Sequence, residues 1–109
     1  IGQSVVVEAG QVLGIETIQG TEQLLGYVRD TSSALRRVGV GILVKREKTN
    51  QDLRVDMPTI GPETIRQVYN AKLAAIIISP DKVIVLEQDE CFRLCEKLSL
   101  SFIVKEREK

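Results

Sequence analysis

Histidine is missing from all 109 residues. Its absence removes histidine-based zinc sites and every catalytic arrangement that needs an imidazole, Ser-His-Asp and Cys-His alike. Cysteine is scarce: Cys91 and Cys95 are the two thiols, one helical turn apart. Two thiolates do not close a tetrahedral zinc site, so this spacing reads as two core residues on one helix face in a reducing compartment. Net charge is also missing, because 15 Lys and Arg offset 15 Asp and Glu. No global basic field draws the chain to nucleic acid, and an anionic ligand has to be held by local charges. No stretch reads as a signal peptide, so none is expected, and no apolar run approaches the roughly 20 residues of a spanning helix. Neither a Walker motif nor a Gly-x-Gly-x-x-Gly fingerprint occurs. Any chemistry therefore falls to carboxylates, amides, arginine, lysine and a metal.

What is present suits one globular domain over residues 1–109, with 43% apolar and 28% charged residues. Ser4 to Glu8 and Val12 to Glu16 are β-branched runs on either side of Ala9-Gly10-Gln11, a hairpin pattern. Gly20 and Thr21 precede an amphipathic helix with Thr21 as its N-cap. Leu24, Leu25, Val28 and Leu35 form the inner stripe of that helix, Arg29, Asp30, Arg36 and Arg37 lie outside, and it stops near Gly39. Val40 to Val44 reads as a strand buried on both faces. Pro62 opens a second helix with Ile65, Val68, Tyr69 and Leu73 inside. Ala74 to Ser79 and Val83 to Glu87 read as a second hairpin across Pro80-Asp81-Lys82. A third helix from about Asp89 turns Cys91, Phe92, Cys95 and Leu98 inward, and Ser101 to Val104 is a last strand before a charged tail. The expected fold is α/β: a single mixed β-sheet flanked by about three helices, in the order β-β-α-β-α-β-β-α-β.

Between the third strand and the second helix lies Lys45 to Pro62, the most distinctive stretch. Asp52, Arg54 and Asp56 alternate with Leu53, Val55 and Met57, so an extended backbone places the charges on one face and the apolar side chains on the other. A solvated edge strand has the same pattern. The alternative is a site: Asp52 and Asp56 supply hard oxygen ligands for Mg²⁺, Arg54 clamps a phosphate, and Gln51 adds an amide. Gly20 and Thr21 at a helix N-terminus fit either an anion site or plain capping, and Glu16 and Lys45 fit either a ligand contact or a solvated surface. The turn at Gln19 to Glu22 and the segment from Lys45 both follow strands, so they are expected at one edge of the sheet.

The runs Gly2 to Val7, Val12 to Glu16, Gly20-Thr21 and Gly41 to Lys45, and above all Gln51-Asp52-Leu53-Arg54-Val55-Asp56-Met57-Pro58-Thr59-Ile60-Gly61-Pro62-Glu63-Thr64, resemble the C-terminal domain of LpxI-type UDP-2,3-diacylglucosamine pyrophosphatases. The chain departs from that pattern at Gln19, Glu22, Lys48-Thr49 and the closing Leu98 to Phe102. The resemblance implies Mg²⁺-dependent hydrolysis of UDP-2,3-diacylglucosamine to UMP and 2,3-diacylglucosamine 1-phosphate, a step in lipid A synthesis at the cytoplasmic membrane face. It makes Gln51, Asp52, Arg54 and Asp56 the catalytic candidates, with Asp52 and Asp56 on the metal, and Glu16, Gly20, Thr21 and Lys45 the substrate-binding set. The implied partners are the UDP-linked acylated glucosamine and an N-terminal domain of a longer two-domain enzyme, with peripheral membrane contact and a homodimer both admitted. The other reading is a nucleotide-binding or oligomerisation domain without catalysis on the same scaffold.

Overall fold

The computed structural model describes residues 3–47 and 57–106. Its centre is a five-stranded sheet in the order β2-β1-β3-β5-β7. β1 (Gln3–Glu8) and β2 (Gln11–Ile15) form the expected hairpin, closed by Ala9 and Gly10, both with positive φ. A left-handed pair at the tip matches the right-handed twist of the flanking strands. β1 also runs antiparallel to β3 (Ile42–Arg46), and β3, β5 (Ala75–Ile78) and β7 (Ser101–Val104) are mutually parallel. The mixed sheet follows from the connections, since a hairpin gives antiparallel neighbours and a helical crossover parallel ones.

Helices α1 (Thr21–Asp30), α2 (Pro62–Asn70) and α3 (Gln88–Leu98) line one face of this sheet, α1 packed on α2 and α2 on α3. Leu24, Leu25 and Val28 of α1, Ile65 and Val68 of α2, and Cys91 and Cys95 of α3 meet Val6, Leu43, Ile76 and Ile78 in one core. Both cysteines are free thiols inside it, as their spacing predicts. Pro62 takes the first position of α2, and the Thr64 hydroxyl accepts from the Gly61 N–H at 3.3 Å.

Five details differ from the sequence reading. The first helix ends at Asp30 and is followed by a short 3₁₀ turn at Ser33–Leu35, which leaves Leu35 69% exposed and draws Arg36 inside. Thr21 is the first helical residue, not the cap: Gly20 holds the N-cap position with φ 97°, and no side chain caps it. Tyr69 and Phe92 are exposed, although Phe92 keeps an edge-to-face contact with Phe102 at 5.3 Å. The third strand is buried on one face only, because among the described residues no helix covers the side carrying Ile42 and Val44. Finally, the second hairpin does not form. β6 (Ile84–Val85) pairs in parallel with β4 (Thr59–Ile60) as a separate two-stranded sheet, held by N–H donations from Ile84 to Pro58 and from Leu86 to Ile60. The Pro80-Asp81-Lys82 turn thus carries the chain off the main sheet.

Candidate functional site

Sheet register brings three of the predicted residues, and one unpredicted one, to a single point. Ser4 on β1 stands directly opposite Lys45 on β3, and both face the helical layer. Glu16 leaves the end of β2 beside them, its N–H donating to the Ser4 carbonyl at 2.8 Å. After the turn at Gly20, Thr21 opens α1 over the same spot. The Lys45 Nζ donates to Thr21 Oγ1 at 2.6 Å, and that hydroxyl donates in turn to Glu16 Oε1 at 2.8 Å. Ser4 Oγ lies 3.4 Å from Thr21 Oγ1, and Nζ lies 3.9 Å from Glu16 Oε1.

The lysine and glutamate side chains are only 8% and 4% exposed. Burial pushes the Lys45 ammonium below the ordinary lysine range, and the Glu16 carboxylate partly opposes that fall. Solvated surface residues, the plain alternative for Glu16 and Lys45, do not look like this. Lys45 carries three donors and spends one on Thr21. Above it, α1 begins without a side-chain cap, so the first N–H groups of the helix face the same region. A buried cation next to uncapped helical N–H groups suits a phosphate or another compact anion.

Alongside, Arg46 Nη1 donates to Ser79 Oγ at 3.0 Å and to the Lys105 carbonyl at 2.9 Å, which ties together the ends of β3, β5 and β7. This is the carboxyl edge of the parallel strands, where open α/β sheets place their ligands. The turn bearing Gly20 and the strand end bearing Lys45 do share that edge. Gln51, Asp52, Arg54 and Asp56, the catalytic and metal-ligating candidates, lie outside the described residues. Among the described residues no group of three or more Asp, Glu or Cys side chains could hold a metal ion.

Sequence reasoning passed over Ser4, whose signal is its position two residues before Val6 on the inward face of β1. It also passed over a second buried charge, at the other end of the sheet. There Glu8 receives Arg36 Nη2 at 2.7 Å and the Arg37 N–H at 2.7 Å, while Arg36 Nη1 donates to the carbonyls of Val28 at 3.2 Å and Ala71 at 2.8 Å. Every strong donor there is matched, and the guanidinium sits at the C-terminal ends of α1 and α2. That arrangement is structural. The two buried clusters thus divide between the ends of the sheet, one satisfied internally and one with donors to spare.

A five-stranded mixed sheet with helices on one face and a buried polar cluster at its carboxyl edge defines an α/β domain. More specifically, residues 1–103 match the LpxI C-terminal domain, and the chain belongs to that family. It is 36% identical over 103 residues to the UDP-2,3-diacylglucosamine pyrophosphatase LpxI of Caulobacter vibrioides; the match covers 92% of this chain and 37% of that relative. The chain therefore spans little more than a third of the relative's length. Among solved structures, a dCMP deaminase from the cyanophage S-TIM5 superposes with a TM-score of 0.58 at 11% identity, covering 95% of this chain and 80% of the other. That likeness is one of fold alone.

Proposed function

We propose that this chain is the substrate-binding and catalytic domain of an enzyme that hydrolyses UDP-2,3-diacylglucosamine to UMP and 2,3-diacylglucosamine 1-phosphate in lipid A synthesis. Family membership supports the reaction class. The observation that carries the site is the buried Lys45-Thr21-Glu16 chain beneath the uncapped start of α1. In this reading Lys45 and the first N–H groups of α1 hold the diphosphate by charge and hydrogen bonding. Glu16 orients the Thr21 hydroxyl so that its oxygen stays turned toward the ammonium. Gly20, with φ 97°, turns the chain into the helix without a side chain over the anion.

Mg²⁺ fits this assignment through Asp52 and Asp56, since that ion takes oxygen ligands, commonly one or two carboxylates with substrate phosphates. When bound it neutralises phosphate charge and polarises the reacting phosphorus. Arg54 clamps a phosphate oxygen with its planar fork, Gln51 adds an amide beside the carboxylates, and one of Asp52 and Asp56 orients the attacking water. The chain works with a further domain of a longer two-domain enzyme, at the cytoplasmic face of the inner membrane. Among the described residues no helix is long and apolar enough to cross a membrane.

The deciding experiment is Mg²⁺-dependent UMP release by the full-length protein. Asp52→Asn and Asp56→Asn each cut turnover at least a hundredfold with unchanged circular dichroism; full activity in both variants sinks the assignment. The second reading, a nucleotide-binding domain without catalysis, is favoured by the cluster alone, which can hold a phosphate without any metal. It predicts UDP or UMP binding with no hydrolysis in the same assay.

A further inference from the structure

Helical period turns Phe92 inward, yet the ring is 43% exposed and borders a cavity of about 300 Å³ between the start of α3, the edge strand β7 and the turn after β5. β5 ends at Ile78, and Asp81, with φ 59°, helps turn the chain off the main sheet, which leaves this space beyond the ends of β5 and β7. The cavity shares a rung of the sheet with the buried lysine. Ser4 pairs with Lys45, Lys45 with Ile78, and Ile78 with Val104, across β1, β3, β5 and β7. Ile78 and Val104 line the cavity. Side chains paired along one rung share a face, so the cavity and the Lys45 cluster lie on the same side and at the same edge of the sheet. At about 4.8 Å per strand, the cavity wall begins one strand from Lys45 and ends roughly 10 Å away. A molecule anchored by an anion at Lys45 reaches it across a spacer the size of a pentose.

The walls set what fits. Gln88 and Phe92 are one helical turn apart on α3, so the amide and the ring stand on the same helix face. An edge-to-face contact with Phe102, 5.3 Å between centroids, steadies the Phe92 ring, and its exposure leaves aromatic surface for stacking. Gln88 offers a donor and an acceptor side by side, the complement of the N3–H and C4=O edge of uracil. Ser79 Oγ accepts from Arg46 Nη1 at 3.0 Å, so its own proton remains available to donate. Asp81 at the rim only accepts, which favours a ring N–H over a phosphate there. An acyl chain would set these polar groups against methylenes at a desolvation cost, whereas a flat heterocycle with polar edges satisfies them.

We propose that this cavity is the subsite for the uracil base of the nucleotide whose phosphate Lys45 holds, with Phe92 as the stacking platform and Gln88 as the reader of the base edge. The inference rests on the anion site proposed above and extends it to a separate set of residues.

The test is isothermal titration of the full-length protein with UMP and with ribose 5-phosphate, which keeps the phosphate and sugar and lacks the base. UMP is expected to bind at least tenfold more tightly. Phe92→Ala lowers UMP affinity roughly fivefold to hundredfold, the range for losing a base–aromatic stack, and Gln88→Ala lowers it about fivefold, the scale of a neutral hydrogen bond. Both variants leave ribose 5-phosphate unchanged, and Phe92→Trp, which keeps a stacking ring, retains UMP binding. Circular dichroism checks folding; Gln88 is exposed, so its variant serves even if Phe92→Ala loosens α3. Equal wild-type affinity for the two ligands, with both lost in Lys45→Met, overturns the base subsite and leaves the anion site standing. Failure of both ligands to bind removes the anion site and the subsite with it. Equal losses for UMP and ribose 5-phosphate in the two alanine variants also overturn the proposal. So do variants that spare UMP and weaken 2,3-diacylglucosamine 1-phosphate, which assigns the cavity to an acyl chain.

Discussion

Arg36 joins Glu8 to the ends of two helices: one guanidinium contacts the carboxylate at 2.7 Å and the carbonyls of Val28 and Ala71. Both charged side chains are almost completely buried. A buried pair is not in itself evidence of net stability, but losing one partner strands the other in a poorly solvating interior. Arg36→Met is therefore expected to cost about 3–5 kcal/mol, read as a lowered midpoint in urea. Glu8→Gln, which keeps the shape and one acceptor, should cost less. A loss below about 1 kcal/mol in Arg36→Met, the scale of an exposed pair, would show that the pair behaves as if solvated.

The same pair sets an acid limit. Burial alone would raise the Glu8 pKa, but the Arg36 hydrogen bond, the Arg37 N–H and both nearby guanidinium charges outweigh it and hold the carboxyl below its ordinary 4.5. Because the folded value is the lower one, the stabilisation is complete above about pH 4.5 and is lost as pH falls through the lowered value. The difference in unfolding free energy between wild type and Glu8→Gln should shrink across that acid window and stay level between pH 6 and 8, a range well above any carboxylate titration.

Gly41 explains why the Glu8 end of the sheet is so tight. A Cβ there would lie 2.5 Å from Leu73 Cδ2 and 3.1 Å from Glu8 Oε2. Gly41→Ala pushes on a buried leucine and a paired carboxylate together, and overpacking of this kind costs about 1–3 kcal/mol. Thermal unfolding of the variant provides the measurement. An unchanged midpoint would mean that Leu73 rotates away freely.

These contacts mark how far the sequence could be read. Alternation and helical period located the first hairpin, the starts of α2 and α3, the last strand and the inward thiols, because each depends on neighbours close in the chain. Arg36 reads as an outer residue when the helical pattern is extended past Asp30; the break comes from tertiary contacts to residues 28 and 35 positions away in the chain, Glu8 and Ala71. β6 was paired with its sequence neighbour β5, whereas it meets β4 across α2, a non-local choice that turn chemistry does not encode. At the site, Glu16, Gly20, Thr21 and Lys45 were named from a resemblance. What the residues alone left open was whether they were solvated, and only the register that sets Ser4 opposite Lys45 answers that.

Cys91 and Cys95 give a check on the core. Burial pushes both thiols above their ordinary range, and for Cys91 the neighbouring Cys95, Glu87 and Glu90 push the same way. Thiolate is the reactive form, so both should be nearly inert in the native state. A colorimetric disulfide reagent at pH 8 should count two thiols in denaturant and close to none without it. Fast native reaction of either cysteine would mean that α3 opens readily.

Lys45 supplies the prediction that links structure to the proposed site. Its folded pKa is depressed mainly by burial, so the unfolded chain holds that proton more tightly than the folded one does. Stability should therefore rise as pH climbs through the lowered folded value toward the ordinary 10.5, and Lys45→Met should lack this rise. Urea titrations of both proteins from pH 7 upward test the sign, since a gap that widens in favour of Lys45→Met at high pH contradicts it. If Lys45 holds the diphosphate as proposed, the same substitution in the full-length protein takes away a charge-assisted hydrogen bond worth about 1.5–3 kcal/mol, or roughly a tenfold to hundredfold loss in kcat/KM. Thr21→Val keeps the ammonium but frees it from its tether. Its defect should therefore be smaller than that of Lys45→Met, and a larger one would shift the anion-binding role from the lysine to the threonine hydroxyl.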